Sequence, residues 1–153
     1  MRRVWIGLGA NLGDRRRTLE QAVRWLDATS GVEVQRVSTW RETPPMGPPQ
    51  PSYLNGVVRV LTAFSPMEML TILRQLEVAA GRVRTVRWGP RTLDLDLLFM
   101  EGLVLETPEL VLPHPGIPER RFVLEPLCEL DSDFVHPVLD RPLSDLLEAL
   151  TEC

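Results

Sequence analysis

Residues 82 to 99 read RVRTVRWGPRTLDLDLLF. From Leu93 onward leucine alternates with Asp94 and Asp96, the period of two that marks a strand with one apolar face. The pattern predicts a strand over 92 to 100 with both carboxylates on one side, about 7 Å apart along it. Ahead of it stand Arg82, Arg84, Arg87 and Arg91, with no acid among them. A pair of carboxylates is the usual protein share of a Mg²⁺ shell, which takes oxygen ligands and keeps several waters. Guanidinium groups add planar donors whose charge does not titrate away. Metal and triphosphate chemistry is therefore the first reading of this stretch.

The segments around it set the fold. Residues 4 to 8 predict a first strand, and Asp14 an N-cap for a helix over 15 to 28 striped by Leu19, Ala22, Val23 and Leu26. Residues 32 to 40 alternate as a second strand. TPPMGPPQPS (43 to 52) is too rich in proline for helix or sheet, and residues 53 to 61 form a third strand. Ser65, Pro66 and Glu68 make a capping box with proline at the first helical position. That helix runs to Ala80, buries Leu70, Leu73, Leu76 and Ala80, and stops before Gly81. Closed by the aspartate strand, the order is βαββαβ, which is the ferredoxin-like arrangement. The class is α+β, with two helices packed on one face of an antiparallel sheet. Residues 101 to 153 read as C-terminal additions: a proline-rich segment, a short helix at 118 to 121, and a final helix from Ser144. No repeat or linker interrupts the chain, so one domain spans 1–153.

Bulk composition narrows the function. Hydrophobic content of 44% and charged content of 25% are those of an ordinary globular protein. The net charge of −4 argues against a nucleic-acid binder, whose charge is basic over much of one face. All 17 basic residues are arginine, so the chain has no P-loop lysine and any ATP is bound in another way. No run approaches a membrane span, and the N-terminal segment lacks the apolar core and cleavage site of a signal peptide. Cys128 and Cys153 have no metal-ligand spacing and read as free thiols in a reducing cytosol.

An aspartate pair with this spacing also serves glycosyltransferases, nucleotidyltransferases and nucleases, and an Arg–Asp surface patch has the same composition. Gly7, Gly9 and Gly13 miss the G-x-G-x-x-G spacing by one place. His114, in LPHP, is held between two prolines, a rigid mount for a phosphate donor; His136 reads as structural. Glu77 falls on an apolar helix stripe, where a carboxylate is either buried against an arginine or functional. Tyr53 and Asn55 share one side of their strand and suit a flat heterocycle, the ring by stacking and the amide by paired hydrogen bonds.

Four stretches together, GLGANLGD (7 to 14), TPPMGPPQPSYLNGVV (43 to 58), GRVRTVRWGPRTLDLDLL (81 to 98) and LPHPGIPERRFVLEPL (112 to 127), resemble the 6-hydroxymethyl-7,8-dihydropterin pyrophosphokinases of folate synthesis. The order and spacing of RWGPRTLDLD are the most specific part. The resemblance implies transfer of pyrophosphate from ATP to the pterin hydroxymethyl group with release of AMP. It implies two Mg²⁺ ions on Asp94 and Asp96, with Arg82 and Arg91 neutralising charge on the transferred group. ATP-side positions are Leu70, Glu77, Arg84, Arg87, Trp88, Leu97, His114 and Arg120, besides Arg82 and Arg91. Pterin-side positions are Thr43, Pro44, Met46, Tyr53, Asn55, Trp88 and Phe122. A cytoplasmic monomer with small-molecule substrates is expected, without nucleic-acid or membrane partners.

Overall fold

The computed structural model describes residues 1–11, 13–43, 52–81 and 93–151. The expected order is present as β1 (Arg2–Ala10), α1 (Arg15–Ala28), β2 (Val32–Val37), β3 (Arg41–Thr43), β4 (Tyr53–Thr62), α2 (Pro66–Ala79) and β5 (Asp94–Met100). The sheet runs β2-β4-β1-β5 with antiparallel neighbours, and β3 also pairs with β4, beyond the end of β2. Asp14 caps α1 by accepting from Arg17 N at 3.2 Å. Both bonds of the capping box form at α2: Glu68 N to Ser65 Oγ (3.2 Å) and Ser65 N to Glu68 Oε1 (2.8 Å).

Three expectations change. The strand foreseen over 32 to 40 breaks after Val37 because Ser38 inserts its side chain into the ladder. Its N–H donates to Val57 O, and its Oγ accepts from Val57 N at 2.8 Å, replacing a backbone carbonyl. Trp40 then folds over Gly56, where a Cβ would run into the indole ring. The buried stripe of α2 is rotated by one residue. Met69, Leu73 and Glu77 are buried, with Leu70 and Leu76 half-buried on its flanks.

The third change is the largest. The C-terminal segment supplies a full helix, α3 (Arg121–Asp131), after a 3-10 turn at Ile117–Glu119, where only a short helix was expected. Pro126 inside it argues against a helix, since an interior proline costs about 3 kcal/mol. Burial of Val123, Leu124, Leu127 and Leu130 offsets that cost. Short hairpins β6–β7 (Leu105–Glu106, Val111–Leu112) and β8–β9 (Val135–His136, Arg141–Pro142) flank it, and α4 (Leu143–Thr151) closes the described chain. Among the described residues, no helix is long and apolar enough to cross a membrane.

Helices therefore cover both faces of the sheet. One core joins α1 and α2 to Val4, Ile6, Leu8, Val58, Val60, Leu95 and Leu97. The other joins α3 and α4 to Trp5, Val57, Leu98 and Phe99. A bulge in the β1–β5 pairing leaves Leu98 as an extra residue, which turns both Leu98 and Phe99 into the second core. The far end of α3 is fastened to the sheet by Asp131. This carboxylate accepts from Trp5 Nε1 at 2.8 Å and pairs with Arg59 of β4. Arg36 adds a bond from Nη1 to Leu130 O at 2.6 Å. Both members of the Arg59–Asp131 pair are largely buried, so loss of the carboxylate strands a cation and an indole N–H. Asp131→Ala should lower unfolding free energy by about 3 kcal/mol in urea melts; a loss under about 1 kcal/mol would assign the pair to the weak surface class.

Candidate active site

On the α3 side of the sheet, side chains change character at the same level in three adjacent strands. The register aligns Trp5 with Phe99, Gly7 with Val57 and Asp96, and Gly9 with Asn55 and Asp94. Trp5, Phe99, Leu98 and Val57 lie under α3 and α4. Past them the face opens into a cleft of about 710 Å³. Its floor is Gly7 and Gly9 flanked by Asp94 and Asp96 on β5 and by Tyr53 and Asn55 on β4. Arg120, Arg121, Phe122, Val123 and Glu125, where α3 begins, line it as well.

Both glycines sit in a strand, so their value is the missing Cβ and not a turn. A Cβ at Gly9 would lie 2.8 Å from Asn55 Oδ1. Asn55 is held from its other end, donating from Nδ2 to Thr43 Oγ1 at 2.6 Å. Thr43 and Tyr53 are a cross-strand pair, so Thr43, Tyr53 and Asn55 form one polar and aromatic group. On the carboxylate side, Glu77 lies beneath the edge strand. It is buried, accepts from Leu95 N at 3.0 Å and pairs with Arg74 at 3.0 Å, so it anchors the segment between the two aspartates.

Asp96 meets solvent at the cleft mouth, yet crowding by protein raises its carboxyl above the ordinary aspartate range, with burial the largest cause. Asp94 and Glu77 push in the same direction; His114 and Arg120 oppose them. His114 is itself shifted down by burial, against the pull of Asp96, and so favours the neutral ring. Its Nδ1 accepts from Gly116 N at 3.0 Å, which leaves the proton of the neutral ring on Nε2, free to donate. α3 has no side-chain cap and no acid in its first turn, so its N-terminal dipole favours an anion in the cleft.

Thr43, Tyr53, Asn55, Asp94, Asp96, Arg120 and Phe122, all candidates from the sequence, line this one cleft. His114 stands beside it, close enough to act on Asp96. Leu97 is buried in the core on the opposite face, which leaves only its backbone for a ligand. Leu70 lines a separate recess of about 420 Å³ on α2, with Thr71, Arg74, Gln75 and Val78. Pro44, Met46, Arg82, Arg84, Arg87, Trp88 and Arg91 lie outside the described residues. Sequence reasoning passed over Arg41, Arg121 and Glu125 as cleft residues. Only the alternation of Arg41 with Thr43 hinted at a shared side.

The family model for 7,8-dihydro-6-hydroxymethylpterin-pyrophosphokinase (HPPK) matches residues 5–132. The chain belongs to this family. It is 43% identical over 143 residues to the 2-amino-4-hydroxy-6-hydroxymethyldihydropteridine pyrophosphokinase of Synechocystis sp., covering 94% of this chain and 73% of that one. Identity to the Bacillus subtilis protein of the same name is 46% over 128 residues, covering 83% and 77%. An HPPK-DHPS crystal structure in complex with substrates superposes with a TM-score of 0.79 at 12% identity. That superposition covers 99% of this chain and 46% of the longer one, and it supports the HPPK-like fold.

The Asp96 shift sets a stability test. A carboxyl whose pKa rises on folding is costly to the fold when ionised, and the cost fades as pH falls from the folded value towards the unfolded one. Asp96→Asn should therefore melt higher than the parent at about pH 8 without ligand, the gain shrinking near pH 4. A lower melting point at about pH 8 would mean that Asp96 stabilises the empty fold.

Proposed function

We propose that this chain transfers pyrophosphate from ATP to the hydroxymethyl oxygen of 6-hydroxymethyl-7,8-dihydropterin, releasing AMP, in folate biosynthesis. The observation that carries the reading is the pairing of two rows on one open floor. Asp94 and Asp96 stand on β5, Tyr53 and Asn55 on β4, with the side-chain-free part of β1 between them. Strands two apart are separated by about 10 Å, enough for a phosphate chain and a flat ring to lie side by side.

The donor set suits Mg²⁺. Two carboxylates share one face of β5 and leave most of the ion's shell to water and phosphate oxygens. Asp94 and Asp96 would hold two such ions, which supply charge neutralisation and orientation to the phosphates when bound. The pterin hydroxyl oxygen attacks the β-phosphorus and releases its proton to solvent, the bond from that phosphorus to the α,β-bridging oxygen breaks, and AMP departs. His114 donates from Nε2 and Arg120 from its guanidinium to phosphate oxygens. Tyr53 and Phe122 hold the faces of the ring; Thr43 and Asn55 hold its edge. Motif position assigns Arg82 and Arg91 to the transferred group, Arg84, Arg87 and Trp88 to ATP, and Pro44, Met46 and Trp88 to the pterin. Motif position also assigns Leu70, Glu77 and Leu97 to the nucleotide, Leu97 through its backbone and Glu77 through its bond to Leu95 N. The protein acts as a cytoplasmic monomer.

The reading is tested by product analysis. ATP should yield AMP only when the dihydropterin is present, and no free pyrophosphate should appear. Asp94→Ala and Asp96→Ala should each lower kcat by at least about 1000-fold while remaining folded. Pyrophosphate release would point to a nucleotidyltransferase, and turnover close to that of the parent in a folded Asp96→Ala would remove the metal assignment.

A further inference from the structure

Arg41 lies directly across from Asn55 in the β3–β4 register and lines the same cleft. One end of its guanidinium is fixed: Nη2 pairs with Glu129 of α3 at 2.9 Å. Glu129 is itself held by Thr39, accepting from its N–H and its Oγ1 at 2.8 Å each. The other end is not. Nη1 is buried with no hydrogen-bond partner among the described residues, although the side chain as a whole keeps 34% of its surface exposed. A buried charged donor without an acceptor is costly and rare in native proteins. A ligand that brings the acceptor removes that cost.

The neighbourhood says what such a ligand offers. Arg41 shares its side of the sheet with Thr43, Asn55 and Tyr53, the polar and aromatic group at the acceptor end of the cleft. Asp94 and Asp96 stand on the far side of β1. We infer that Arg41 is a specificity-determining residue for the acceptor substrate, donating from Nη1 to a ring carbonyl or ring nitrogen at the edge of the bound heterocycle. The assignment rests on the pterin reading of this end of the cleft. It gives the ring edge a cationic donor beside the neutral groups of Thr43 and Asn55. Glu129 acts as the stay that holds the other end of the guanidinium at Nη2.

The test is equilibrium binding of 6-hydroxymethyl-7,8-dihydropterin with saturating Mg²⁺ and a non-hydrolysable ATP analogue, and of that analogue alone, with thermal melts. The parent chain is compared with Arg41→Met, Arg41→Lys and Glu129→Gln. Arg41→Met should weaken dihydropterin binding roughly 10- to 100-fold and leave analogue binding unchanged. Arg41→Lys keeps a cation for Glu129 but has no second nitrogen, so it should show a similar loss and serves if Arg41→Met melts early. Glu129→Gln should retain most of the affinity. Parental affinity in both Arg41 variants overturns the assignment. So does an equal loss in Glu129→Gln, which would make Arg41 a brace between β3 and α3. If the parent binds no dihydropterin, the reading of the cleft fails and takes the Arg41 role with it, a result distinct from binding that the variants leave intact.

Discussion

On its cleft face the end of β1 is a strip of backbone without side chains, and the arrangement of the cleft depends on it. Gly7 and Gly9 point at the same space as Asp96, Asp94 and Asn55, their partners across the sheet. Any side chain there would fill the gap between the carboxylates and the amide. The glycines lose more conformational freedom on folding than other residues, and the fold offsets this by placing them in a central strand paired on both sides. Flanked in this way, the strip stays flat and the two rows keep their separation.

The same sheet face is core at one end and site at the other, so α3 serves both. Its later turns pack Leu124, Leu127 and Leu130 against Trp5 and Phe99, while its first turn presents Phe122 to the cleft. Asp131 ties its last turn to β1 and β4, which transmits the rigidity of the sheet to the cleft wall. On the opposite edge Glu77 does comparable work for β5, giving the backbone N–H between Asp94 and Asp96 a buried acceptor. The site also keeps some strain. Asp96 is crowded by protein and by other carboxylates, against the opposing pull of Arg120. Stability is given up at the carboxylates proposed to hold Mg²⁺.

Much of this was legible in the chain. Alternation located β4 and β5 and put Asp94 with Asp96 and Tyr53 with Asn55. The Ser65–Glu68 box and Gly81 delimited α2. The failures have local physical causes. Ser38 mimics a backbone acceptor, and so a single periodic run became two strands. Pro126 argues against helix by a rule that buried leucines override. Leu97 alternates away from the aspartates, so its side chain joins the opposite core. Arg41 was missed because its place depends on a three-residue strand and on a helix that was not foreseen, and no spacing in the sequence brings them together. Gly7 and Gly9 fit no spacing motif because their meaning lies in the register of two neighbouring strands.

In the proposed function, the side-chain-free strip holds the acceptor site open. The most direct measurement is dihydropterin affinity in Gly9→Ala, whose added Cβ would stand 2.8 Å from Asn55 Oδ1. Measured with Mg²⁺ and a non-hydrolysable ATP analogue, affinity should fall at least about tenfold, with the melting temperature lowered by no more than a few degrees. Parental affinity in a folded Gly9→Ala protein would contradict the account.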